Sequence, residues 1–226
     1  MRSYLAALVT CSVLVASSAR AQEAEGPSAG RATVGVGLRL GFALPMGDVS
    51  SGGGPLTDYF GSAVPVGLDL GYFLDRSWFI GAYGQYGLAN TSNDTALLGA
   101  CAQRGVSCSG RTLHAGLETW WLGGQPSDRA RLWAGFAVGY EWATLRGEDI
   151  TGSADLTLHG FELVPVQVGV DFSAGSLVTI GPYASIGLGK YSTVAVDSGS
   201  GSSSEDIRGT SWHAWVHLGV KATLAP

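Results

Sequence analysis

The sequence predicts an all-β fold, an eight-stranded antiparallel up-and-down transmembrane β-barrel, on three observations. Its 226 residues include 35 glycines but only 14% charged and 10% aromatic side chains, with a positive mean hydropathy, a balance foreign to most water-soluble domains. Alternation of apolar with polar or small residues recurs in eight segments, the period of a strand with one lipid face and one interior face. The connections between those segments are alternately long and short, as strands crossing a bilayer in up-and-down order require.

The chain begins with "MRSYLAALVTCSVLVASSARA", which has a basic start, an apolar run too short to span a bilayer, and small residues at Ala19 and Ala21. Residues 1–21 are therefore expected to be a cleaved export signal, and 22–31 a flexible periplasmic segment ahead of a barrel over 32–226. Cleavage would remove Arg2 and Arg20 and no acid, making the chain more acidic than its full-length net charge of −5. Nucleic acid is thereby disfavoured as a partner. Of the three cysteines, Cys11 leaves with the signal. Cys101 and Cys108 in "GACAQRGVSCSG" are expected to form a disulfide in an oxidising compartment.

Strand one, "ATVGVGLRLGFALP", sets Val34, Val36, Leu38, Leu40, Phe42 and Leu44 against Gly35, Gly37, Arg39 and Gly41. A polar loop is expected over roughly 46–61. Strands two, "AVPVGLDLGYFL", and three, "WFIGAYGQYGLA", form a hairpin through "DRS", with Asp69 inward and Tyr72, Trp78 and Tyr86 outward. A long loop over about 90–110 precedes strand four, "RTLHAGLETWWL", which sends His114, Glu118 and Trp120 inward and Trp121 outward. Strand five, "RLWAGFAVGYEWA", points Trp133 and Glu141 inward, with Tyr140 and Trp142 outward.

Another polar loop is expected over about 146–159. Strand six, "FELVPVQVGVDF", then places Val164, Val166, Val168, Val170 and Phe172 outward and Gln167 and Asp171 inward. Strand seven, "LVTIGPYASIGLG", follows a tight "SAGS" turn, and a loop rich in Ser, Gly and acid fills about 192–209. The closing strand, "SWHAWVHLGVKATLAP", carries Trp212, Val216, Leu218, Val220 and Leu224 on one face and His213, Trp215, His217 and Lys221 on the other. No backbone group can stay unpaired in hydrocarbon, so this strand is expected to pair with strand one.

The outward aromatics fall into two belts. Tyr72, Trp78, Trp121 and Phe172 lie toward the short-turn end, and Phe42, Tyr86, Tyr140, Trp142 and Trp212 toward the long-loop end. The inward faces collect Arg39, Asp69, His114, Glu118, Glu141, Gln167, Asp171, His213, His217 and Lys221. Charges in a low-dielectric interior must pair, so a lumenal network is expected in which Arg39 and Lys221, on adjacent strands, face the acids. Glycines opposite Trp133, Trp215 and Tyr183 let these rings fill the lumen, and eight strands enclose little more than that.

No catalytic, metal or cofactor site is expected. His213 and His217 stand about 13 Å apart along a strand and would need His114 or a carboxylate from across the barrel to hold an ion. Ser211 and His213 lack an evident rim acid. The loop acids Glu148, Asp149, Asp155, Asp197, Glu205 and Asp206 read as solvated, although such acids attract divalent cations that bridge lipopolysaccharide.

The signal, the eight segments and patterns such as "GLRLGFALP", "PVGLDLGYFL" and "AGFAVGYEW" resemble the small bacterial outer-membrane β-barrel proteins, the group with OmpA-like, OmpX-like and OmpW-like members, over essentially all of 32–226. The resemblance implies both termini at the periplasmic end, insertion by the outer-membrane assembly machinery, and contact with outer-membrane lipid and lipopolysaccharide. It also implies a terminal aromatic residue, where this chain ends "KATLAP". The expected function is that of a monomeric barrel with a structural or surface-interaction role exercised by its extracellular loops. The alternative is a narrow channel for small solutes, hydrophobic ones among them.

Overall fold

A computed structural model of the chain describes residues 33–91, 106–124, 129–150, 152–175, 177–199 and 201–224. The export signal, the 22–31 segment, Cys101 and with it the Cys101–Cys108 pair, and Pro226 lie outside the described residues. Nine strands are present among the described residues: β1 (Thr33–Gly47), β2 (Phe60–Phe73), β3 (Trp78–Thr91), β4 (Ser107–Leu122), β5 (Ala130–Glu148), β6 (Ser153–Ser173), β7 (Val178–Ser198), β8 (Gly201–Asp206) and β9 (His213–Leu224). Each of β1 to β6 pairs antiparallel with the next, β6 pairs with β7, β7 with β9, and β9 with β1. Eight strands therefore form a closed barrel, and β8 stands outside that circle, paired to the far end of β7.

The alternation gives each strand its two faces. Leu38, Leu40, Val66, Leu117, Leu132 and Leu218 are more than half exposed, as an outer wall built for lipid must be, while the alternate positions turn inward. The connections at one end are tight. In the first, the Asp75 carboxylate accepts from the backbone N–H groups of Ser77 (2.6 Å) and Trp78 (2.9 Å), which turns β2 into β3.

Four expectations are corrected at the opposite end. Residues 46–61 are not a polar loop. Gly47, at φ +80°, swings the chain back over the mouth, and the short 3-10 turn Leu56–Asp58 buries Val49, Leu56, Tyr59 and Phe60 there. The Tyr59 hydroxyl donates to the Gly53 carbonyl at 2.7 Å. Burial, assisted by the Asp58 charge, raises its pKa. Residues 146–159 are mostly strand, since β5 runs to Glu148 and β6 begins at Ser153. The supposed loop at 192–209 holds the end of β7 and all of β8. Trp212 precedes the closing strand, which begins at His213.

A fifth correction concerns β6. Its register shifts between Leu163 and Val166, so that Val164 and Pro165 together oppose the single residue Gly187 of β7. Proline has no N–H to donate to a ladder, and a bulge accommodates it. The extra residue reverses the alternation. Leu158, Glu162 and Val164 point inward before the bulge, and Gln167 and Asp171 after it. Val164 is therefore interior, not lipid-facing, and Glu162 joins the lumen.

Wall glycines make room for the interior rings. A Cβ on Gly169 would stand 2.6 Å from the Trp133 indole, and one on Gly219 would stand 2.8 Å from the Tyr183 ring. Gly169→Val is expected to lower stability by about 1–3 kcal/mol through overpacking. Gly84→Ala, whose Cβ meets nothing within 4 Å, is expected to leave stability unchanged or raise it by up to about 1 kcal/mol. Urea titration of the two variants in lipid vesicles, read by tryptophan fluorescence, checks the contrast.

Candidate functional site: the lumenal charge network

The lumen is layered. Toward the tight-turn end, Phe79, Trp120, Leu122, Trp133 and Tyr183 form an apolar cluster. Phe79 stacks on Trp120 at 3.9 Å, and Phe73 meets both rings edge-on. Toward the loop end, Leu56, Tyr59, Phe60, Leu145, Leu158, Tyr191 and Trp215 form a second cluster. Between these two caps, or against their rings, lie the charged and polar side chains.

Arg39 of β1 is the hub. Its Nε donates to Asp69 Oδ2 (2.8 Å), its Nη2 to Glu118 Oε2 (2.6 Å) and its Nη1 to Gln167 Oε1 (2.6 Å). One guanidinium thus joins β1 to β2, β4 and β6, using the planar fork that suits arginine to several acceptors at once. The Tyr183 ring lies 5.6 Å from its Cζ.

Lys221 is placed differently from expectation. It pairs in register with Arg39 and is fully buried, but its ammonium sits 3.6 Å from the centroids of both Trp120 and Trp133 and has no hydrogen-bond acceptor among the described residues. The charge rests on two π faces. Asp171, buried on β6, accepts from Thr179 Oγ1 at 3.3 Å.

A second group lies nearer the loop end. His114 Nδ1 is 3.1 Å from Glu162 Oε2 and 3.7 Å from Glu141 Oε2, and His213 Nε2 is hydrogen-bonded to Glu141 Oε1. Tyr83 donates to Glu162 Oε2 at 3.0 Å. His213 stacks on Tyr191 at 4.0 Å. Gln85 Nε2 lies 2.9 Å from His217 Nε2. A polar cavity of ≈ 20 Å³, room for one water, opens between Arg39, Tyr83, His114, Glu162, Gln167 and His217.

All ten lumenal residues named from the sequence are buried, in two groups instead of one. Glu162 was missed because the Pro165 bulge inverts the face on which it was counted. Tyr83, Gln85 and Tyr191 also take part; Tyr83 and Gln85 alternate inward on β3 and were legible there. The belt residues Phe42, Tyr72, Trp78, Tyr86, Trp121, Phe172 and Trp212 are exposed on the outer wall. Tyr140 and Trp142 are half-buried against one another at 4.8 Å, with the Tyr140 hydroxyl 2.7 Å from His159 Nδ1. Lys190 caps the Trp212 ring at 4.5 Å.

The two cations differ in what their removal leaves behind. Arg39→Met strips Asp69, Glu118 and Gln167 of their donor, and is expected to cost about 3–5 kcal/mol. Lys221→Met keeps an unbranched chain between two indoles and is expected to cost less than about 2 kcal/mol. Unfolding midpoints of the two variants in the same detergent check the order; a larger loss for Lys221→Met contradicts the assignment of Arg39 as the hub.

No protein-family model matches the chain, and no curated protein matches it in sequence. Solved structures do match in shape. A major outer membrane protein from Thermus thermophilus aligns over 86% of this chain and 100% of its own, at 12% identity and TM-score 0.53. The outer membrane protein OprG from Pseudomonas aeruginosa aligns over 87% and 99%, at 15% identity and TM-score 0.48. Neisserial surface protein A aligns over 88% and 99%, at 11% identity and TM-score 0.45. At such identities it is the fold that is shared: this chain has the fold of the Thermus outer membrane protein, and its closed circle of strands makes it an eight-stranded antiparallel barrel.

Proposed function

We propose that the protein resides in the bacterial outer membrane as a barrel closed to solute, and that it acts through what it presents beyond its loop-end rim. The observation that carries this reading is the filling of the lumen by the described residues: apolar clusters toward both ends bracket a charged network, and the polar cavity that this network lines measures ≈ 20 Å³. A solute path would require displacing Trp120 and Trp133 at one end and Phe60 and Trp215 at the other, all of them buried.

The rim supports the second half of the reading. β6 and β7 are 21 residues long against 14 for β2 and β3, so their ends reach about 20 Å farther along the strand direction. There β7 pairs with β6 on one side and β8 on the other. All six residues of β8, "GSSSED", are exposed, and its serines and acids keep this outer strand polar. In this reading the apolar wall contacts outer-membrane lipid, the upper belt with Lys190 and Trp212 contacts lipopolysaccharide, the assembly machinery inserts the chain, and the β7–β8 hairpin faces the surroundings of the cell.

Planar-bilayer recording is expected to give no resolved conductance steps from protein that remains folded by heat-dependent gel mobility; discrete steps would support the channel reading instead. Ser203→Cys, on β8, is expected to react with a membrane-impermeant maleimide in intact cells, with the unsubstituted chain as control for its native cysteines. Ala174→Cys, in a tight turn, is expected to react only after permeabilisation. The reverse pattern would overturn the orientation.

A further inference from the structure

Two buried carboxylates of the barrel interior have no arginine or lysine beside them. Glu141 and Glu162 are each about 1% exposed, and among the described residues their ion-pair partners are histidines alone: His114 for both, and His213 for Glu141. Arg39 is committed to Asp69, Glu118 and Gln167, and Lys221 to the two indoles. Two carboxylates removed from water demand compensating positive charge. Imidazoles with adjacent carboxylates offer two ways to supply it: two protons on the histidines, or one doubly charged ion.

The geometry points to the ion. We propose that His114, Glu141 and Glu162 form a buried structural site for one divalent transition-metal ion of the zinc class. The donors come from three different strands, β4, β5 and β6, and one ligand atom from each lies within 4.8 Å of the others. Donors about 2.1 Å from a tetrahedral ion stand about 3.4 Å apart; His114 Nδ1 is 3.1 Å from Glu162 Oε2 and 3.7 Å from Glu141 Oε2, and the two carboxylates offer oxygens within 4.8 Å of one another, so closing the two carboxylates together brings all three donors onto one centre. Glu141 Oε2 is buried and has no hydrogen-bond partner among the described residues, a costly state for a carboxylate oxygen that a bound cation relieves.

The surroundings are those of a metal site as well. His213 holds the other oxygen of Glu141, and Tyr83 donates to Glu162, the outer partners that fix ligand orientation. The ≈ 20 Å³ cavity, lined by His114 and Glu162 among others, has room for a water as fourth ligand. One nitrogen with two carboxylate oxygens favours zinc and its first-row neighbours over magnesium or calcium, which prefer oxygen alone. Because both mouths of the lumen are filled, the ion enters as the barrel folds and then exchanges slowly.

The test uses the full barrel, refolded in detergent with excess zinc sulfate, dialysed against EDTA, and analysed for metal by mass spectrometry. About one zinc per folded chain is expected. Refolding with cobalt(II) instead is expected to give the visible absorption bands of a tetrahedral nitrogen and oxygen site. The double variant His114→Gln, Glu162→Gln is expected to retain less than a tenth as much metal while still showing the heat-dependent gel shift. His159→Ala, which removes the histidine of the outer wall, is expected to retain the full amount. Retention by the unsubstituted chain of well under one ion, or equal retention by the double variant, would overturn the proposal, as would loss of the ion in His159→Ala. Should the double variant fail to fold, the zinc stoichiometry and cobalt spectrum of the unsubstituted chain decide the matter.

Discussion

A sheet that closes on itself leaves no strand edge unpaired, and in this molecule that closure is made along one seam. β9 is hydrogen-bonded to β1 from Val36↔Leu224 to Gly47↔His213, and to β7 from Val178↔Leu224 to Gly189↔His213. The last strand of the chain is thus as fully paired as any internal one. Closing the circle on β9 also delivers His213, Trp215, His217 and Lys221 to the interior, so the strand that seals the wall contributes to both polar groups and to the upper apolar cap.

Among the described residues, the charged side chains that point into the lumen are buried. Cations are few, and each is used differently: Arg39 spreads over three acceptors on three strands, while Lys221 is held by aromatic faces. Wall glycines allow this density, because a bare backbone at Gly169 or Gly219 is what brings Trp133 and Tyr183 across the lumen.

Most of the barrel was legible because the side-chain period of a strand is two and the lipid face tolerates few polar residues. Arg39, Asp69, Glu118 and Lys221 could be assigned inward from that rule alone, and the pairing of the first and last strands followed from the need for closure. The rule fails where the backbone adds a residue. At Pro165 the bulge reverses the faces of β6, which hid Glu162 and misassigned Val164. It is also silent above the membrane. There "ADLTLH" and "STVAVDS" are strands paired to each other, the second of them also to β8, although their Ser and Asp content resembles that of loops. The partners of Lys221 were missed for another reason: alternation says which way a side chain points, and gives no account of what stands opposite it across a lumen.

The wiring of Arg39 has a consequence in time. Its acceptors lie 30, 79 and 128 residues away along the chain, so a sheet still open at β1 and β9 has not yet assembled the surroundings in which that guanidinium is satisfied. Contacts of such long sequence separation are slow to form, and interactions gained only after the rate-limiting step slow unfolding more than they speed folding. Opening the β1–β9 seam is accordingly expected to disturb the contacts of Arg39 with Glu118 and Gln167 across the lumen, so that wall and charge network are lost together.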